Sequence, residues 1–284
     1  MTQRSDALIT SRRNPLVRRL RSLAQRSGRE QEGLLLLEGS HLLQEVLRCQ
    51  SPQTDLEVIV TPAWLEAHPK ALSAWEGSVR WHHVSDAVLQ AALSTMHPDG
   101  VACLLPLEAL PKPPGHSSFV LALDRVQDPG NLGTLLRTAL AADVEMVLLA
   151  SGADPLSPKV VRSSSGAVLT LAQERLGPEE RQGVRALAER LQDLRRDGLQ
   201  VVATLVPDAS APVEVLPYWQ LDWTRPTVLV LGNEGSGLHP ELLACCSHGV
   251  TLPHSPRVES LNVAAAAVPL LLERRRATMT APRS

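Results

Sequence analysis

Residues 227–238 read TVLVLGNEGSGL: five apolar-run positions, Thr227–Leu231, then a loop with glycine at 232, 235 and 237. A strand that apolar is expected to be covered on both faces, as in a parallel sheet between helix layers. Three glycines in six positions let the backbone come close to a ligand or adopt positive φ. The loop lacks the Lys-Ser/Thr ending of a nucleoside-triphosphate loop. It also sits late in the chain, whereas a dinucleotide fingerprint follows the first strand.

Working outward, further strands are expected at Ser118–Leu123, Glu145–Ala150, Gln200–Leu205 and Gly249–Leu252. Helices are expected at Leu132–Ala142, Pro178–Arg196, Pro240–Cys246 and Ser260–Arg275. The alternation predicts an α/β unit with a parallel sheet, whose ligands gather at the carboxyl ends of strands. Two more strand ends carry unusual loops. Residues 124–142, DRVQDPGNLGTLLRTALAA, hold a turn at 128–131 with Asn131 as the expected N-cap. Leu132, Leu135, Leu136, Ala139 and Leu140 share one helix face, and Thr134 and Arg137 lie off it. Residues 253–273, PHSPRVESLNVAAAAVPLLLE, predict a helix starting at Glu259 or Ser260, with Leu261, Ala264, Ala265 and Val268 turned inward.

Four prolines and a glycine in PLEALPKPPGH, residues 106–116, mark a linker. It separates residues 1–105 from 117–284. The first region reads as a small α/β domain: a basic helix, an apolar run at Leu34–Leu37, a helix at His41–Arg48 and a strand at Glu57–Thr61. Residues 1–30 contain eight arginines against Asp6 and Glu30, a local charge of +6 (8 − 2). Leu16, Leu20 and Leu23 give that helix an apolar stripe beside an arginine face, which points to phosphate contact. Arg12, Arg13, Arg18 and Arg19 are the expected contacts. No aromatic residues interleave with them, so base stacking along this helix is not expected.

With 44% hydrophobic and 20% charged residues the 284-residue chain is a folded protein, not a disordered one. Only seven residues are aromatic, so the core is aliphatic. A net charge of −2 carries no global nucleic-acid signal, and any such signal is local. The four cysteines lack zinc spacing, so no metal is expected and reduced thiols are. The N-terminus is basic without an apolar core, and no run of ~18 apolar residues occurs. The expected address is the cytoplasm, with no membrane contact.

Each loop alone is compatible with a plain structural role. Together, N-x-G-x-x-x-R-T at 131–138, L-G-N-E-G-x-G-L at 231–238 and V-E-S-L-N-V at 258–263, in this order, resemble the three motifs of the SpoU (TrmH) methyltransferases of the SPOUT superfamily. The resemblance covers residues 118–275, including KVVRSSSGA at 159–167. Residues 9–23 and 34–47 resemble the family's ribosomal-protein-like α/β substrate-binding domain. The resemblance implies a trefoil-knotted parallel-sheet domain, a homodimer with the active site near the subunit boundary, S-adenosylmethionine as cofactor, and 2′-O-ribose methylation of structured RNA. Ribosomal RNA is favoured; alternatives are transfer RNA, or a non-catalytic RNA-binding protein of the same fold. A dinucleotide-dependent oxidoreductase is disfavoured, since no glycine-rich fingerprint follows the first strand.

Carried over by position, Gly232, Leu252 and Leu261 match cofactor contacts, with Thr204, Asn233, Gly235 and Asn262 as neighbours. Asn131, Arg137, Glu234, Ser260 and Asn262 match the catalytic positions, and Arg162 joins the RNA contacts. The third motif departs from the family: Pro253-His254-Ser255-Pro256 replaces a Pro-Met-Gly pattern, and Ala264 replaces a serine. The family role of the motif-one arginine is that of base. A guanidinium is effectively always protonated, so the expectation for Arg137 is a bidentate hold on a phosphate.

Overall fold

The structure, a computed structural model, describes residues 5–280 apart from 72–78, 178, 207–212 and 256. Arg4, Pro178 and Pro256, which figure in the sequence reading, lie outside the described residues. The chain forms two compact units: Met1–Pro111 with Asp154–Thr170, and Lys112–Ala153 with Leu171–Ser284.

The first unit runs β1 (Ser5–Ile9), α1 (Pro15–Ser22), α2 (Arg26–Glu32), β2 (Leu34–Glu38), α3 (Ser40–Cys49), β3 (Leu56–Val60), α4 (Pro62–Ala67), β4 (Val79–Val84), α5 (Asp86–Ala92) and β5 (Val101–Pro106). Its sheet has the order β1-β4-β3-β5-β2. The β1–β4 and β3–β4 pairs are parallel, and β5 is antiparallel to β3 and β2. Asn14 caps α1, its side chain accepting from Leu16 N at 2.9 Å. The expected stripe is buried, with Leu16, Leu20 and Leu23 packed among Ile59, Val88, Leu89 and Leu104.

The expected linker begins later than its prolines suggest. Pro106 closes β5 opposite Leu34, residues 107–109 form a 3-10 turn, and Leu107 N donates to Gly33 O at 2.8 Å. A terminal strand position tolerates proline because no ladder donor is needed there.

The chain continues β6 (Phe119–Leu123), α6 (Pro129–Ala141), β7 (Met146–Leu149), α7 (Pro158–Ser163), β8 (Ala172–Arg175), α8 (Glu180–Arg196), β9 (Gln200–Thr204), β10 (Val215–Pro217), β11 (Thr227–Leu231), α9 (Pro240–Leu243), β12 (His248–Thr251) and α10 (Val263–Thr280). Helix α7 belongs to the first unit, although the sequence reading placed it in the second region. The remaining elements build a parallel seven-stranded sheet of order β10-β12-β9-β11-β6-β7-β8. The strand FVLAL (β6) and its neighbour TVLVL (β11) are buried at every position. Helix α8 lies close on the sheet at Gly183, where a Cβ would stand 1.7 Å from Ala150 O. Strands β8 and β10 have no counterpart in the sequence reading. AQER is mostly polar, and VLP is three residues ending in proline, so neither shows the apolar run used to find the others.

Among the described residues no helix is long and apolar enough to cross a membrane. The four cysteines are free, and burial pushes the Cys103 and Cys246 thiols up to about 12.

Candidate active site

The register aligns the carboxyl ends of four strands: Leu231 pairs Leu123, Val230 pairs Ala203, and Val250 pairs Thr204. The three loops singled out in the sequence therefore leave one edge of one sheet. The order of strands places β11 between β9 and β6, with β7 and β8 beyond β6 and β12 and β10 beyond β9. That is the switch-point arrangement that opens a crevice in α/β sheets.

The loop after β11 is a tight return. Asn233 and Gly237 exchange backbone hydrogen bonds of 2.9 and 3.1 Å, and Gly237 takes φ +66°. A Cβ at Gly232 would lie 2.6 Å from Gly237 C and Leu238 N, so the loop closes on a bare backbone. Asn233 Oδ1 accepts from Gly235 N at 2.9 Å and Ser236 N at 3.0 Å, while its Nδ2 donates to Arg125 O at 2.9 Å.

The loop after β6 is tied to it. Asp124 is fully buried and accepts from Arg125 Nε at 2.7 Å and from His239 N at 2.8 Å. The Asp124 hydrogen bond, and then that of Glu180, raise the Arg125 guanidinium pKa against the lowering effect of burial. Asp128, not Asn131, is the N-cap of α6, accepting from Asn131 N at 2.8 Å. Proline at 129 starts the helix two residues before Asn131. Asn131 is thereby freed to use its side chain elsewhere.

It uses it between the other two motifs. Asn131 Nδ2 donates to Glu234 Oε1 at 3.2 Å, and Asn131 Oδ1 accepts from Asn262 Nδ2 at 2.9 Å. A carboxylate only accepts, so Glu234 sets which end of the Asn131 amide faces it and leaves the oxygen for Asn262. Asn262 Oδ1 accepts from Ala264 N and Ala265 N at 3.0 and 3.1 Å and caps α10. The last helix thus starts at Val263, not at Glu259 or Ser260. The inward face shifts with it: Ala264, Ala267, Leu270 and Leu271 are buried, while Leu261 is 42% and Val268 37% exposed, against expectation, and Ala265 is exposed too.

A cleft of about 470 Å³ lies against these strand ends. Of the seven expected cofactor positions, Thr204, Gly232, Asn233, Gly235, Leu252 and Leu261 line it and Asn262 does not, while Glu234 and Ser260 line it too. Its walls include two hydroxyls, Thr204 Oγ1 and Thr251 Oγ1, that are buried without a hydrogen-bond partner among the described residues. Buried polar atoms of that kind are rare and call for a partner. His254 Nδ1 meets Leu252 O at 2.8 Å and shapes the loop that departs from the family pattern. The cleft's glycine backbone, apolar leucines and orphan hydroxyls suit a nucleoside-bearing cofactor.

Arg137 is not brought to this cluster. It is exposed on α6, six residues beyond Asn131, which is ~9 Å along a helix. Among the expected RNA contacts, Arg12, Arg13 and Arg18 are exposed. Arg19 is otherwise engaged: its guanidinium grips Glu57 at 2.9 and 3.1 Å and Glu32 at 3.0 Å. The acids that neutralise it arrive from α2 and β3, beyond the window in which the arginines were counted. Arg29 is also withdrawn, being 2% exposed and paired with Asp154. Thr251, Asp124 and Arg125 escaped the sequence reading. Thr251 sits inside a strand, and the pairing of Asp124 with His239 N joins residues 115 apart in sequence.

A switch-point cleft fed by three motif loops defines an α/β ligand-binding site at the strand ends. The family model described as the SpoU rRNA Methylase family matches residues 118–271, and a model of an MRM3-like substrate binding domain matches residues 14–103. The chain belongs to the SpoU rRNA methylase family. An uncharacterized tRNA/rRNA methyltransferase of Synechocystis is 44% identical over 95% of this chain and 94% of its own length. The 23S rRNA guanosine-2′-O-methyltransferase RlmP of Bacillus subtilis is 30% identical over 93% and 97%. The crystal structure of an AdoMet-bound rRNA methyltransferase from Sinorhizobium meliloti matches with TM-score 0.75 and 28% identity, covering 95% and 97%.

Proposed function

We propose that this chain methylates a ribose 2′-hydroxyl of structured RNA, ribosomal RNA being the substrate, with S-adenosylmethionine as methyl donor. The observation that carries the reading is the cleft at the ends of β9, β11 and β12, which gathers six of the seven cofactor positions and two orphan hydroxyls beside the Glu234–Asn131–Asn262 chain. The naming of relatives as 23S rRNA methyltransferases favours ribosomal over transfer RNA.

When bound, the cofactor supplies an electrophilic methyl carbon. The Gly232–Gly237 backbone and the hydroxyls of Thr204 and Thr251, which line the cleft, would hold it, and Leu252 and Leu261 would cover its apolar surface. Glu234 orders the Asn131 amide, and Asn131 and Asn262 position the ribose with Ser260. Alignment of this kind supplies ~7–11 kcal/mol of a displacement barrier. Arg137 grips the adjacent phosphate with its fork and stabilises the developing oxyanion.

A second copy of the chain brings that Arg137 to the cleft. Val268, Leu272 and Met279, spaced four and seven residues apart, expose 37%, 42% and 73% of their surface along α10, an apolar face that a homodimer would cover. The trefoil knot rests on the resemblance to the family. The cytoplasm, where ribosomal RNA is and thiols stay reduced, is its place of action.

Titration calorimetry with S-adenosylmethionine, together with 2′-O-methyl mapping of ribosomal and transfer RNA with and without the gene, tests the reading. Binding and one missing ribosomal methylation are expected. An unchanged map with no cofactor binding would leave only a non-catalytic RNA-binding protein.

A further inference from the structure

The first unit has its own cleft, about 310 Å³, lined by the start of α3, the loop joining α5 to β5, and Arg162 of α7. The site is built around Glu38, the last residue of β2, whose side chain is 3% exposed. One carboxylate oxygen accepts from Ser94 N at 2.9 Å and Ser94 Oγ at 2.8 Å. The other accepts from Thr95 N at 3.0 Å, from Thr95 Oγ1, and from Arg162 Nη1 at 2.9 Å. A buried carboxylate is tolerable only with such a full set of donors. The same bonds fix the 93–99 loop and Arg162 as walls. At the loop's far end Asp99 Oδ2 accepts from Ser40 N at 2.8 Å.

What lines the cleft is less engaged. His41 and His97 are exposed, and their side chains make no hydrogen bond among the described residues. Leu42 and Leu93 supply an apolar surface. Arg162 uses Nη1 on Glu38 and Ser94, and its side chain remains 37% exposed. None of these groups takes part in the cofactor cleft of the second unit.

The chemistry narrows the ligand. Glu38 and Asp99 outnumber Arg162, so the cleft is no trap for a free anion. No group of three metal-ligating side chains occurs among the described residues. The volume is at the low end of the ~300–1,000 Å³ of small-ligand sites, room for a nucleotide and not for a duplex. Two imidazoles and an apolar surface in one cleft, with a carboxylate to accept from base N–H groups, suit a splayed-out RNA base.

We infer that this cleft receives one unpaired nucleotide of the RNA substrate, its base against His41 and His97 with N–H donors toward Asp99, its phosphate on the outer edge of Arg162. This rests on the RNA-methyltransferase reading, and extends it to a docking point outside the catalytic cleft. Three segments far apart in sequence (38–42, 93–99 and 162) make it.

The test uses the full chain carrying His41→Ala and His97→Ala, both at exposed positions. Binding of deproteinised large-subunit ribosomal RNA is measured by filter retention, and S-adenosylmethionine affinity by calorimetry. A loss of RNA affinity of about tenfold or more is expected, the scale of losing base stacking, with cofactor affinity unchanged. Arg162→Gln should weaken RNA binding and lower the slope of log affinity against log salt by about one. RNA affinity within twofold of wild type in the histidine variant overturns the proposal, as does a parallel loss of cofactor affinity, which marks general damage. A wild-type chain that binds no S-adenosylmethionine overturns the methyltransferase reading instead, so the two failures are distinct.

Discussion

Arg137 stands exposed on α6 and its side chain makes no hydrogen bond among the described residues, so its whole fork is free for a ligand. A base would need a group that gives up its proton near neutral pH, and guanidinium does not. Arg137→Lys keeps the charge and loses the two-pronged geometry. Single-turnover methylation by that variant is expected to slow by about 100-fold, an order set by the positioning it removes. Near-wild-type turnover would refute the bidentate role. At this scale much of the site was legible. Glu234 and Asn262, placed with Asn131 in three motifs on resemblance, both hydrogen-bond Asn131. Their capping roles were not legible, because Pro129 and Asp128 compete for the start of α6 and only geometry decides between Asp128 and Asn131.

At the scale of elements, the arginine face of α1 shows how local reading fails. Charge counted along thirty residues saw no relief, yet Glu57 of β3 lies under Arg19, with Arg80 and His82 of β4 beside it. These contacts hold the Glu57 carboxyl down at about 2, through its hydrogen bond with His82 first and then Arg19. A folded-state pKa below the ordinary 4.5 means the ionised carboxylate stabilises the native state above pH 4.5. That contribution is lost as the pH falls from 4.5 toward 2. Urea midpoints of wild type should therefore converge on those of Glu57→Gln over that window, and a constant difference would exclude the linkage. The strands of the second sheet were readable from apolar runs alone. Strands β8 and β10 were not, because they form at sheet edges where pairing with a neighbour, and not their own composition, makes them strands.

For the whole molecule, the separation of Arg137 from Glu234 in one chain sets a clear experiment. Equal amounts of Arg137→Ala and Glu234→Ala chains, each inactive alone, are mixed after dissociation. If Arg137 serves the cleft of a second copy, half the pairs are mixed and each holds one intact site, so activity recovers to about a quarter of wild type. No recovery would place Arg137 in its own chain's site.

The grouping of residues 154–170 with the first unit has a consequence for synthesis. When residue 111 has emerged from the ribosome, Arg29 and Glu38 are already made, but Asp154 and Arg162, which pair with them, are not. The N-terminal unit cannot complete its own interior until about sixty more residues, including β6, α6 and β7, have been translated. Cutting the gene at the proline-rich segment would therefore yield an N-terminal fragment whose buried Arg29 and Glu38 have lost their ion-pair partners and keep only their neutral hydrogen bonds. The two units were written into the chain in an order that obliges them to be made together.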